Sequence, residues 1–314
     1  MTKFVLTMSL AILLLVVCTT ADAAFPEKNI TILNSSTAGS PTDLLARQVA
    51  HYTEPHLKQP LIVLNKPGGG GGVMFAALLA APTDGYTIGS VTAAQMAALQ
   101  AQLKNDFSFD SFDFLCNVQL EPYAIAVLTD SPWQSIGDVV EAAKSGKNIL
   151  FGGQGTGSSM HLMALQLSKL ADVKFTWLPY QGGAESVTNL LGGHAEIIAT
   201  APATVMQYVE AGQVKVLAIS GESRLSYLPD APTLKELGYD IVLTQYRGFI
   251  AKKGIPEEIK AQLVDAISKG IREPGFKEFM AQSKQEDGYM DPAAFYEYAK
   301  KDFDKIGELM QLMQ

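Results

Sequence analysis

Short apolar, β-branched runs alternate with helix-patterned segments along nearly the whole chain. No other feature constrains the fold as strongly. "NITILN" (29–34) reads as a strand and leads into "SSTAGSPTDLLARQVA", while "PLIVLN" (60–65) leads into five consecutive glycines, 68–72. "DGYTIGSVT", "YAIAVLT", "NILFGG", "VKFTWLPY", "AEIIAT" and "VKVLAIS" continue the strand series, most of them followed by helical patterns, and the tail from 256 to 314 reads as almost entirely helical. Such alternation predicts an α/β protein with mainly parallel sheets. In sheets of this kind ligands bind beyond the carboxyl ends of the strands. Here those ends carry "NSSTAGS", "NKPGGGGG", "GGQGTGSS", "YQGGAES" and "TAPAT", all rich in glycine or small and hydroxylated residues and nearly all uncharged. No fixed-period repeat or low-complexity linker marks a domain boundary.

The glycine run opens the apolar segment Val73 to Leu79, which reads as a short helix stopped by Pro82. Glycine reaches positive φ cheaply and lets a ligand approach the backbone, and a helix N-terminus attracts an anion. The lysine and hydroxyl of a nucleotide P-loop are absent, because Val73 and Met74 follow Gly72. The loop therefore suits either a small anion or a tight ligand-free turn. Ser40-Pro41-Thr42-Asp43 reads as a capping box, with serine at N-cap, proline at N1 and the acid at N3; Ser135 with Asp138 reads as another.

Residues 1–23 have the layout of a secretory signal: Lys3, the apolar "FVLTMSLAILLLVVC", and a small-x-small site ending at Ala23. An exported, periplasmic protein of about 290 residues, cleaved near Ala23, is expected. Val17 before Cys18 disfavours lipidation. Without Cys18 only Cys116 remains, so no intrachain disulfide is available. Removal of Lys3 and Asp22 leaves 23 basic and 31 acidic residues, a net charge of −8, which argues against nucleic acid or acidic membrane surfaces as partners.

Eight motifs in order carry a family resemblance. They are "AGSPTDLLAR" (38–47), "NKPGGGGGV" (65–73), "APTDGYTI" (81–88), "GTGSSMHL" (155–162), "PYQGGAESVTNLLGGHAEI" (179–197), "AGQVKVLAIS" (211–220), "RLSYLPDAPTLKELGY" (224–239) and "GIPEEI" (254–259). The chain resembles the extracytoplasmic solute receptors of tripartite tricarboxylate transporters, the Bug-type receptors. The resemblance implies a two-domain periplasmic-binding-protein type II fold with a hinged cleft. Residues 24–125 and 244–314 would form domain 1, and 126–243 domain 2. It implies a monomer, no cofactor or metal, a small organic acid as ligand, and membrane subunits of a tripartite transporter as partners. Main-chain amides of two domain-1 loops would grip the ligand carboxylate: Ser36, Thr37, Ala38, Gly39, Ser40 and Thr42 in the first, and Gly68, Gly69, Gly70, Gly71 and Gly72 in the second. Domain 2 would close over the distal end with Thr156, Ser158, Ser159, Tyr180, Gln181, Gly182 and Ala201.

Two departures stand out. The first loop has less glycine than is usual, so Ser36 and Thr37 are expected to add hydroxyl contacts. Arg247 stands before Gly248 where a tryptophan is common. It is expected either to face the cleft and grip a second carboxylate, or to stand in solvent near a crossover. Among the aromatic residues Tyr180 and Tyr246 adjoin glycine loops and are candidates to stack on a ligand.

Other chemistries fit less well. The segment 153–158 has Ser158 at the third glycine position of a dinucleotide fingerprint, and Asp172 precedes the next strand instead of ending it. His51, Glu54 and His56 lack zinc-motif spacing, and Pro55 is expected to break their helix. His161 has no nucleophile elbow beside it, so a packing or supporting role is expected. No nucleophile–base set is assembled, and an enzyme is not expected. A ligand sensor feeding a histidine kinase is the alternative to a transport receptor.

Overall fold

The computed structural model describes residues 25–180 and 182–311, with side chains to 308. The expected signal segment 1–23 and the candidate Gln181 lie outside the described residues. The chain runs β1 (Ile30–Asn34), α1 (Pro41–Leu57), β2 (Leu61–Asn65), α2 (Gly72–Ala80), β3 (Thr87–Thr92), α3 (Ala93–Ala98), β4 (Phe112–Pro122) and β5 (Ala124–Leu128). It continues with α4 (Ile136–Lys144), β6 (Ile149–Gln154), α5 (Ser159–Ala171), β7 (Phe175–Tyr180), α6 (Gly183–Leu191), β8 (Ile197–Thr200), α7 (Pro202–Glu210) and β9 (Val214–Ile219). The return is β10 (Thr244–Lys252), α8 (Glu257–Gly270), α9 (Pro274–Gln282), β11 (Glu286–Met290) and α10 (Pro292–Gln311).

The strands form two sheets, ordered β11-β4-β10-β3-β1-β2 and β7-β6-β8-β5-β9. Both are mixed and not mainly parallel as expected. Parallel pairing joins β1 to β2 and β3, and β6 to β7 and β8. The strands that carry the chain between sheets, β4, β5, β9 and β10, pair antiparallel, as does β11. β4 and β10 carry polar residues inside the first sheet. Asn117 Nδ2 donates to the Gln119 and Gly288 carbonyls, which breaks the apolar pattern a buried strand usually shows.

Each sheet is covered on both faces. α1, α8 and α9 pack around Ile30, Ile32, Val49 and Ile267, while α2, α3 and α10 pack around Phe75, Met96, Phe112 and Phe295. In the second sheet α4 and α5 cover Phe151 and Ile197, and α6 and α7 cover Ile198 and Val205. Ile306 of α10 and Ala97 of α3 join the core built on the second sheet, so the lobes touch through these helices. Ser220 staples the two interlobe passes together. It accepts from the Tyr123 amide at 2.8 Å and donates to the Leu243 carbonyl, while the Tyr123 hydroxyl donates to Gln245 Oε1 at 3.2 Å.

Local expectations fare unevenly. The Ser135–Asp138 capping box forms in full. At α1 only half of the box forms: Ser40 Oγ accepts from the Asp43 amide, but the Asp43 carboxylate takes the Gly39 amide at 2.8 Å instead of the amide of Ser40. Pro55 does not break α1, which runs on to Leu57 and ends at Lys58 with φ 56°. A proline so close to the C-terminus removes only one of the last hydrogen bonds. Cys116 is a buried free thiol, pushed up to about 12 by desolvation.

Candidate functional site

The first two parallel strands end on asparagines that face each other in register, Asn34 and Asn65. Both turn their amides into the loops that follow. Asn34 Oδ1 accepts from the Ser36 amide at 3.2 Å, and Asn65 Nδ2 donates to the Ser36 carbonyl at 2.9 Å. Asn65 Nδ2 also donates to Asp43 Oδ1 at 2.8 Å, and Arg47 donates to Asp43 Oδ2 at 3.0 Å and to Asn65 Oδ1 at 3.0 Å. Burial alone would raise the Asp43 carboxyl. The hydrogen bonds from Arg47, Gly39 and Asn65, with the Arg47 charge, outweigh it and hold the group at about 2. One carboxylate thus fixes the first loop to the end of the second strand.

This network decides which amides remain for a ligand. The amides of Ser36, Gly39 and Ser40 are engaged within the loop. Those of Thr37 and Ala38, both exposed, have no acceptor among the described residues. Thr42 is buried, and its hydroxyl accepts from Arg247 Nε at 3.3 Å.

The glycine loop is shaped by backbone that L side chains avoid. Gly68, Gly69, Gly70 and Gly71 have φ of 123°, 57°, 62° and 103° in succession. A Cβ on Gly70 would stand 2.9 Å from Ala98 Cβ, and one on Gly71 would stand 3.0 Å from Gln95 Cγ, so the loop lies directly on α3. Gln95 in turn donates to Ser35 Oγ and caps its own helix through the Thr92 amide. The Gly71 and Gly72 amides turn back to Gly68 and Gly69. Those of Gly68, Gly69 and Gly70 have no acceptor among the described residues, and these three residues are exposed.

In the second lobe the Gly155 amide donates to the Tyr180 carbonyl at 2.9 Å, which joins two of the predicted loops. Ser158 caps α5 by accepting from the His161 amide at 3.2 Å, and its hydroxyl donates to the Gln154 carbonyl. His161 Nδ1 accepts from the Gly157 amide at 3.1 Å, its ring stacks on Trp177 at 4.7 Å, and burial lowers its pKa, so it supports the loop as a neutral side chain. Thr156 is exposed, whereas Ser159 is buried and bonds the Tyr123 hydroxyl. Gly182 and Ala201 are the N-caps of α6 and α7, and Gly183 between them lies against Thr200 and Thr204.

Two predicted residues differ in role from expectation. Tyr246 is fully buried against Phe295 and Tyr298, because its position in β10 points it under α10 and not toward the cleft. Tyr180 is half-buried, with its ring lying over Gly152 of β6. Arg247, the next residue along β10 from Tyr246, points to the opposite face. It is neither a free cation nor solvent-exposed: its Nη1 donates to Glu121 Oε2 at 2.8 Å and to Gln119 Oε1 at 2.7 Å. The residues that hold the loops, Asn34, Asn65, Asp43 and Gln95, and those that hold Arg247, Gln119 and Glu121, were not among the candidates. The paired asparagines at the ends of two apolar runs were the available signal.

Two wide cavities, of about 620 and about 1130 Å³, lie elsewhere. One sits between α9, β11 and Tyr227, the other between α10 and the segment 235–242, and neither is lined by a predicted residue. Among the described residues no group of metal-ligating side chains is present, and no helix is long and apolar enough to cross a membrane.

Residues 45–314 match the family described as tripartite tricarboxylate transporter family receptor. A protein of Cupriavidus necator, the "UPF0065 protein in gbd 5'region", is 32% identical over 285 residues, covering 90% of this chain and 86% of its own length. A TctC solute-binding protein from Polaromonas, solved without ligand, superimposes with a TM-score of 0.85 at 31% identity, over 91% of this chain and 99% of that one. Two Rhodopseudomonas palustris proteins share the fold at lower identity. MatC with bound malate has a TM-score of 0.71 at 21% identity over 91% and 99% of the two chains, and a protein with adipate has 0.74 at 22% over 91% and 97%. The chain belongs to the tripartite tricarboxylate transporter receptor family, a family of solute-binding receptors and not of enzymes.

Proposed function

We propose that this protein captures a small organic carboxylate in the cleft between its two sheets and presents it to the membrane subunits of a tripartite transporter. The observation that carries this reading is the pair of turns after β1 and β2, tied in register by Asn34 and Asn65, with the amides of Thr37, Ala38, Gly68, Gly69 and Gly70 open. Amides bared where strands lead into helices are suited to an anion, and they need no metal or lysine to hold it. Thr156, Ser158, Gly182 and Ala201, on the second lobe, would meet the ligand's far end. The malate and adipate of the two R. palustris proteins fit a carboxylate as the ligand class. An exported chain cleaved near Ala23, acting as a monomer with lobes of 24–125 plus 244–314 and 126–243, fits the same reading. A ligand closes such a clamp only by binding the closed form better.

A calorimetric screen of organic acids tests this. At least one carboxylate should bind with 1:1 stoichiometry, and its amide or alcohol analogue should not. Binding that survives replacement of the carboxylate by an amide would overturn the reading.

A further inference from the structure

We propose that Glu121 makes this receptor selective for ligands with a single carboxylate and an uncharged far end, by occupying the buried cation that borders the cleft, Arg247. The inference rests on the carboxylate-binding reading above and adds the ligand's charge to it.

Arg247 sits on β10 opposite the end of β3, and its Nε donates to Thr42, in the first turn of α1. That turn directly follows the loop whose open amides would hold the acid group. The guanidinium therefore borders the pocket, where a second carboxylate on the ligand would look for a partner. It already has one: the Glu121 carboxylate at 2.8 Å, with each side chain only 10% exposed. At that exposure the ion pair is poorly screened, and the site presents it as a neutral unit. A second ligand carboxylate would meet the Glu121 charge as much as the Arg247 charge. Separating them leaves one charge buried without a partner, which is strongly unfavourable.

No other cation takes over. Arg47 is bound to Asp43. Among the described residues of the five strand-end loops Lys66 is the one cation, and it is exposed, where an ion pair is worth little. The second lobe adds an acid instead: Glu185 lies in the first turn of α6, where burial and then this carboxylate raise the Tyr180 phenol. Gln119 beside the pair is fully buried: its Oε1 accepts from Arg247, and its Nε2 is sealed from solvent with no acceptor among the described residues.

The experiment compares chain-matched acids, butyrate with succinate and hexanoate with adipate, by calorimetry on the wild type and on Glu121→Gln. The wild type should bind the monocarboxylate of a pair about tenfold or more tightly. Glu121→Gln, which frees the guanidinium while keeping a hydrogen-bond acceptor beside it, should tighten the dicarboxylate about tenfold and change the monocarboxylate less than about threefold. Adding Arg247→Ala should abolish that gain. Wild-type preference for the dicarboxylates overturns the inference without needing any variant to fold, and so does a Glu121→Gln protein that leaves the ratio unchanged. If no carboxylate binds the wild type, the receptor reading itself fails.

Discussion

Gly70 and Gly69 are adjacent, share a left-handed backbone, and are expected to respond differently to the same substitution. A Cβ on Gly69 meets nothing within 4 Å, whereas one on Gly70 collides with Ala98. Gly69→Ala should therefore cost only the backbone term, about 1 kcal/mol, and Gly70→Ala about 2–4 kcal/mol, in urea unfolding. Carboxylate affinity should fall more for Gly70→Ala, since the loop must lift off α3. Asp43 gives a second residue-scale test. Its folded pKa of about 2 lies below the ordinary 3.8, so the folded chain releases this proton more readily than the unfolded one. The stabilisation is present above pH 3.8 and is lost as pH falls from there through about 2. Asp43→Asn should lose about 2 kcal/mol at pH 7 and lack that acid limb. An unchanged acid limb in the variant would assign the titration to other carboxylates. Tyr246→Phe removes a buried hydroxyl that has no partner among the described residues, so it should leave stability within about 1 kcal/mol and binding unaltered.

At the scale of elements, N-caps separate scaffold from site. Ser135 and Ser158 both accept an amide hydrogen bond at a helix start, of α4 and α5. Replacing either by alanine should cost about 1 kcal/mol. Only Ser158→Ala should also weaken ligand binding, because it releases the 155–158 loop; equal binding by both variants would remove that loop from the site. The elements legible in the sequence were those with apolar or β-branched runs and clear caps: β1, β2, β3, β5, β6, β7, β8 and β9, with helices α1, α2, α4, α5, α6 and α7. β4, β10 and β11 were not legible. The pattern of β4 and β10 is interrupted by Asn117, Gln119, Glu121 and Arg247, whose hydrogen bonds are made across strands far apart in the chain, and β11 lies in the tail that reads as helical. The same long-range bonding hid the partners of the site. Periodicity found the loops, but the Glu121–Arg247 pair spans 126 positions.

At the scale of the whole molecule, α10 belongs to the first sheet's layers yet buries Ile306 in the core of the second. Asp302 lies one turn earlier, with Oδ2 sealed from solvent and without a partner among the described residues; burial, and after it the Asp302 charge, raises Tyr246, Tyr123 and Tyr298. Burial raises its carboxyl to about 7, partly opposed by Lys305. This folded value lies above 3.8, so the folded chain keeps a proton that the unfolded chain gives up. Stability from this group is complete below 3.8 and is lost as pH rises through about 7. Asp302→Asn should raise the unfolding free energy by roughly 2 kcal/mol at pH 8 and leave it unchanged near pH 3.5. A variant that is no more stable at pH 8 would mean the charged carboxylate is accommodated by solvent at this joint. The asparagine cross-tie between β1 and β2 has a consequence at this scale too. Since those turns are braced before anything arrives, the first lobe behaves as a stiff half-mould that need not reshape itself around its cargo. The disorder surrendered on capture is then chiefly that of one lobe swinging against the other, and selection among acids of equal charge falls to how well each lets that swing finish.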